Sequence, residues 1–116
     1  MGAVTIKKEV ETMQMVEISS KNIDGVIREG KTYLYFTAGF SPYAAAMEPV
    51  YRQFLEAAAE YDVKVCRISV TEDIPLGQRF QIKELPTMLV FRDGVRVDTC
   101  EGIVLPERYI NLLRFY

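Results

Sequence analysis

The stretch TYLYFTAGFSPYAAAMEP, residues 32 to 49, passes from a β-rich run into an alanine-rich one across a crowded turn. Thr32 to Ala38 is short and apolar at odd and even positions alike, which is the pattern of a central strand covered on both faces. Ser41 is a preferred helix N-cap and Pro42 suits the first helical position, so Ser41-Pro42 starts a helix. From Ala44 to Tyr61 the residues Met47, Val50, Tyr51, Phe54, Leu55 and Ala58 recur at steps of three and four, as on an amphipathic helix. Pro49 lies inside that helix and is expected to kink it, because it lacks a backbone donor.

Working outward, Met13 to Ile18 reads as a strand. Ser19-Ser20-Lys21-Asn22 offers caps for a helix that carries Ile23, Val26 and Ile27 on one face until Gly30 stops it. Val63 to Val70 is another strand, and Glu72 to Phe80 a short helix with Pro75 near its start. Leu85-Pro86-Thr87 precedes a strand at Met88 to Phe91. Asp93-Gly94 then supplies a tight hairpin turn into Val95 to Cys100. Gly102 breaks that strand, and Pro106 to Tyr116 closes the chain as a helix burying Tyr109, Ile110 and Leu113. Alternating strands and helices that end in a hairpin predict an α/β fold, a mixed sheet with helices on both faces. Residues 1 to 12 read as an N-terminal extension, with a short strand at Val4 to Lys7 its one candidate element.

Composition narrows the chemistry. With 116 residues, 49% of them apolar, the chain suffices for one domain with a real core. Its 14 basic and 16 acidic residues are scattered, so nothing points to nucleic acid or an anionic membrane. No apolar run approaches the roughly 20 residues of a membrane helix. The opening Met1-Gly2-Ala3-Val4-Thr5-Ile6 fails as a myristoylation signal because Ile6 stands where Ser or Thr is required. A soluble, cytoplasmic protein is the expectation. There is no histidine, which removes the usual zinc arrangements and any Ser-His or Cys-His pair. No metal or cofactor is expected. The two cysteines, Cys66 and Cys100, sit inside apolar strands and read as small core residues.

From about residue 13 to residue 116 the chain resembles a thioredoxin. Phe36 and Ala38 stand before the active-site turn, and Pro49 in the second helix. Phe80 and Ile82 precede Leu85-Pro86-Thr87, and Phe91, Asp93-Gly94 and Gly102 follow in order. The resemblance implies the thioredoxin fold, a central mixed sheet of four to five strands flanked by about four helices. In that family the turn after the central strand reads Cys-Gly-Pro-Cys; here it reads Ser41-Pro42-Tyr43-Ala44, so both catalytic cysteine positions, Ser41 and Ala44, have lost their thiols. The family's reaction needs a thiolate to attack a disulfide and a second thiol to resolve the mixed disulfide. The family's buried acid falls on Tyr35, its tryptophan on Thr37, and its basic partner on Arg67. No base stands ready to activate Ser41, since Lys31 lies at the far end of the strand. Cys66 in mid-sheet and Cys100 on an edge strand should lie beyond the roughly 7 Å reach of a disulfide.

What the resemblance leaves is a binding surface. Thioredoxins hold an extended substrate segment through the backbone of the residue before a cis-proline, here Leu85 before Pro86 and Thr87. This is strand addition, which needs no thiol. Phe40, Pro42, Tyr43, Gly102 and Ile103 would surround it as a mainly apolar patch, although Phe40 and Tyr43 could equally just cover the loop. The reading is a redox-inactive thioredoxin-like domain that binds a protein or peptide, as a monomer or weak homodimer. The alternative is a thiol-disulfide oxidoreductase in which both cysteines have been replaced, because Ser-Pro-Tyr-Ala is two substitutions from the glutaredoxin motif Cys-Pro-Tyr-Cys.

Overall fold

The structure, a computed structural model, describes residues 13–16 and 18–116. The extension at residues 1 to 12, with its strand at Val4 to Lys7, lies outside the described residues. Nine elements follow in order: β1 (Met13–Met15), α1 (Ile23–Ile27), β2 (Lys31–Thr37), α2 (Pro42–Ala58), β3 (Val63–Ser69), α3 (Ile74–Arg79), β4 (Thr87–Arg92), β5 (Val95–Glu101) and α4 (Pro106–Phe115).

The strands form one mixed sheet in the order β1-β3-β2-β4-β5. β1 and β2 each run parallel to β3, while β4 is antiparallel to both β2 and β5. β2 is central because Thr32 to Thr37 are all buried, so only a position with sheet on both sides and helices above and below satisfies it. Successive side chains leave a strand on opposite faces, and this alternation divides the core. Tyr33 and Tyr35 pack with Met47, Tyr51 and Phe54 of α2 and with Tyr109, Leu112 and Leu113 of α4. Leu34 and Phe36 pack on the other face with Ile23 and Ile27 of α1 and with Leu76 and Phe80 around α3.

Local chemistry closes the elements. Asn22 Oδ1 accepts from the Ser19 N–H at 2.7 Å, folding the chain into α1. In the hairpin, Asp93 and Gly94 both have positive φ, 50° and 87°, the geometry that Asp-Gly supplies at low steric cost. Asp93 is also bonded to Gly30 in both directions, its carboxylate accepting at 2.7 Å and its N–H donating at 2.9 Å.

Two expectations need correction. The first strand is shorter than Met13 to Ile18, ending at Met15, although the Val16 N–H still donates to Val65. α2 runs from Pro42 to Ala58 with Pro49 inside it, where the sequence placed it. Ile110 is only half-buried, and Leu112 takes its place in the core: the inward stripe of α4 is Tyr109, Leu112 and Leu113, one helical face.

Candidate functional site

The register brings the carboxyl ends of β2, β3 and β5 and the start of β4 to one end of the sheet. Thr37 faces Ser69, Phe36 faces Thr87, and Thr87 faces Glu101. The chain leaves β2 there and turns through Gly39 and Phe40 into α2. Ser41 is the N-cap of that helix, in extended conformation, and its Oγ accepts from the Ala44 N–H at 3.2 Å. The side chain is therefore spent on the helix end, and Ser41 is 7% exposed. Ala44 is buried directly behind it.

Across from this turn, the Leu85–Pro86 peptide bond is cis. Its loop is held at two points: Thr87 Oγ1 donates to the Glu84 carbonyl at 2.6 Å, and the Gly102 N–H donates to the Pro86 carbonyl at 2.8 Å. Leu85 itself is half-buried, and neither its N–H nor its C=O has a hydrogen-bond partner among the described residues. Between turn and loop lies a groove of about 550 Å³. Ser41 and Tyr43 form one wall, Leu85, Gly102 and Ile103 the other, and Lys83 and Glu84 complete it. A second hollow of about 330 Å³, bordered by Val70, Ile74 and Ile82, meets the first at Lys83 and Leu85.

Of the residues singled out from sequence, Ser41, Tyr43, Leu85, Gly102 and Ile103 come together in the groove. Phe40 and Pro42 are exposed on the adjoining turn without lining it, and Pro86 and Thr87 are buried beneath as supports. Phe40, Tyr43 and Ile103 are 71%, 62% and 59% exposed, a density of large apolar side chains that marks recognition surfaces. Lys83 and Glu84 were not named from sequence. Loop charges carry no periodic signal; only their position before Leu85-Pro86 could have found them.

Beneath the turn, the position of the family's acid is fully buried Tyr35. Its ring stacks on Tyr51 at 4.0 Å and meets Tyr109 edge-on at 6.2 Å. Arg67 lies over both stacked rings and donates to Glu48 through two nitrogens at 3.3 and 2.7 Å. Burial, aided by Glu48 and opposed by Arg67, pushes the Tyr35 phenol far above its ordinary value. A phenol held protonated cannot collect a proton as a carboxylate does. Both cysteines of the chain, Cys66 and Cys100, are free and buried. Burial pushes Cys66 up to about 12, with Lys64 in weak opposition, and burial also raises Cys100 despite Arg108. They stand on β3 and β5, three strand spacings or ~14 Å apart, and in opposite core clusters, so no disulfide can join them.

Comparison with known proteins agrees with this geometry. The thioredoxin family's sequence model matches residues 14–113. The thioredoxin of Staphylococcus saprophyticus is 29% identical over 103 residues, covering 87% of this chain and 96% of its own. The thioredoxin structure of Trypanosoma brucei brucei superposes with a TM-score of 0.75 at 21% identity, covering 88% of this chain and 89% of its own. A mutant thioredoxin of Halobacterium salinarum gives 0.74 at 22% identity, with 89% and 90% covered.

Proposed function

The chain belongs to the thioredoxin family, a family of thiol-disulfide oxidoreductases, and from that premise we propose that it is a redox-inactive member whose groove beside Leu85-Pro86 holds an extended segment of a partner protein. The observation that carries this reading is the pair of backbone groups at Leu85 without a partner among the described residues, set between two hollows and sharing the larger with exposed Tyr43 and Ile103. A backbone N–H and C=O left free in a half-buried position are the groups that strand addition pairs. Alternate side chains of the added segment then fall to the two sides of Leu85, one toward Tyr43 and Ile103 and the next toward Ile74 and Ile82. Aromatic anchors at such a rim carry a large share of binding energy. Thiol exchange has no reagent at this site, because Ser41 is an N-cap, Ala44 is inert, and the remaining thiols are buried.

The partner is a protein or peptide, not nucleic acid or a membrane. The protein works in the cytoplasm as a monomer or weak homodimer, the latter visible as concentration-dependent sedimentation. Selection of unconstrained decapeptides from a random library tests the reading. Selected peptides should shift the amide resonances of Leu85, Gly102 and Ile103, and methylating one contacting peptide nitrogen should weaken binding about ten-fold or more. Binding that leaves these amides unmoved sinks the proposal.

The similarity to proteins named thioredoxin favours one alternative, an oxidoreductase whose cysteines at positions 41 and 44 were replaced. The variant Ser41→Cys, Ala44→Cys would then reduce a disulfide substrate at a thioredoxin's rate.

A further inference from the structure

The hollow of about 330 Å³ beside Leu85 borders α3, and there two residues depart from what their backbone positions favour. The first is Gly77, inside the six-residue helix Ile74–Arg79, where alanine is the more stable choice. A methyl group at this position would meet the Val70 side chain at 3.4 Å, an ordinary contact, so packing does not require the glycine. The second is Gln81. The helix closes on a pair of hydrogen bonds, the Gln81 N–H donating to the Gln78 carbonyl at 3.1 Å and the Ile82 N–H to the Gly77 carbonyl at 3.0 Å. That closure puts the residue after the helix in the left-handed region, which glycine enters most easily, yet Gln81 occupies it with φ 55°. The other non-glycine residue with positive φ among the described residues is Asp93, whose hairpin turn demands it.

Glycine thus stands where alanine would be more stable, and glutamine where glycine would be. Both residues line the same hollow. Local strain that the surrounding fold does not require clusters at sites that bind or react. Each departure also changes the hollow in a definite way. The missing Cβ at Gly77 leaves the floor against Val70 open. Gln81 sets a carboxamide, both donor and acceptor, at the exposed rim, where it has no hydrogen-bond partner among the described residues. Val70, Ile74, Ile82 and Leu85 make the lining mainly apolar, and Lys83, shared with the larger groove, is its one charged residue. A lining of that kind suits an uncharged, apolar side chain with a polar backbone passing over it.

We propose that Gly77 and Gln81 set the specificity of the groove, an inference that rests on the strand-addition reading above. The side chain that the added segment turns toward Ile74 and Ile82 is a long aliphatic one, leucine or methionine. It enters over the bare Cα of Gly77, while the Gln81 carboxamide hydrogen-bonds the backbone of the segment beside it. A valine or alanine in the segment would leave the floor unfilled, and a charged side chain would lose its water to an apolar wall.

The test takes decapeptides selected on the full chain from a random library and titrates them, by amide chemical shift, into the chain and into its variants Gly77→Ala and Gln81→Gly. Each substitution should raise the melting midpoint by about 2–5 °C. Each should nevertheless weaken binding about five-fold, with the Leu85 and Gly102 amides still shifting at saturation. Replacing the peptide's leucine or methionine by alanine should weaken binding to the unsubstituted chain about ten-fold or more, but binding to Gly77→Ala by no more than about three-fold. Peptides that shift Leu85 yet share no leucine or methionine, or that bind both variants as tightly as the unsubstituted chain, would overturn this inference and leave strand addition standing. A midpoint lowered in both variants would show that the two residues serve the fold, and would overturn it as well. Peptides that bind without moving Leu85 would overturn both readings.

Discussion

The rings of Tyr35 and Tyr51 stack face to face, 4.0 Å between centroids and 12° from parallel, and the hydroxyls of both are buried without a hydrogen-bond partner among the described residues. Tyr33, two residues earlier on the same strand face, instead donates its hydroxyl to the Leu112 carbonyl at 3.1 Å. One strand thus carries one satisfied and one unsatisfied phenol. Removing a bonded hydroxyl costs about 0.5–1.5 kcal/mol, whereas removing an unsatisfied one is neutral or stabilising. Tyr33→Phe should therefore lower stability by about 1 kcal/mol and Tyr35→Phe should not, as urea unfolding of the two variants will show. Equal losses would mean that Tyr35 has a partner.

Ser41 is occupied as an N-cap, its Oγ bonded to the Ala44 N–H. Ser41→Ala should cost ~1 kcal/mol, or about 4–6 °C in the melting midpoint of a domain this size. Ser41→Asp, which caps as well, should restore most of it. A hydroxyl that served chemistry instead would leave the midpoint unchanged in Ser41→Ala.

The buried thiols set an alkaline limit. Folding holds the Cys66 proton up to about 12, against about 8.5 for a cysteine in an unfolded chain. Between these values the unfolded state binds fewer protons than the native one, so stability is intact below about pH 8.5 and declines as pH rises above it. Cys66→Ala should flatten that decline in a denaturation series from pH 7 to 11. In the native protein, a thiol reagent at pH 8 should label Cys66 and Cys100 no faster than the chain unfolds.

Restoring the family's cysteines tests whether the site has changed around them. The variant Ser41→Cys, Ala44→Cys should fold but turn over disulfides at least ~10-fold more slowly than a thioredoxin assayed beside it, because a positioned acid-base group is worth ~10²–10⁴ in rate and Tyr35 supplies none. The chain without these substitutions should match the protein-free rate in a dithiothreitol-driven assay. A thioredoxin-like rate for the double variant would favour the replaced-cysteine alternative.

Much of this was legible in residues 32 to 49. A strand apolar on both faces can only be central, and Ser-Pro before a 3.6-residue periodicity can only be a helix start, so β2, α2 and the turn between them followed from local physics. The Asp93-Gly94 hairpin was equally legible, since few dipeptides tolerate two successive positive φ values. The phase of α4 was not: Ile110 and Leu112 are both apolar, and only the position of the helix over Tyr33 and Tyr35 decides which is buried. The Tyr35–Tyr51–Arg67–Glu48 stack joins β2, α2 and β3, and it depends on register that no single segment encodes. Lys83 and Glu84 escaped because a charged loop residue looks alike in a groove and in open solvent.

Hydrogen exchange at the Leu85 amide tests the central claim most directly. The protein is measured alone and saturated with a decapeptide selected from an unbiased library. In the free protein this N–H has no acceptor among the described residues and should exchange readily; in the complex it donates to the added strand and should slow by about ten-fold or more. An unchanged Leu85 rate while the peptide is demonstrably bound would place the binding elsewhere and contradict the account.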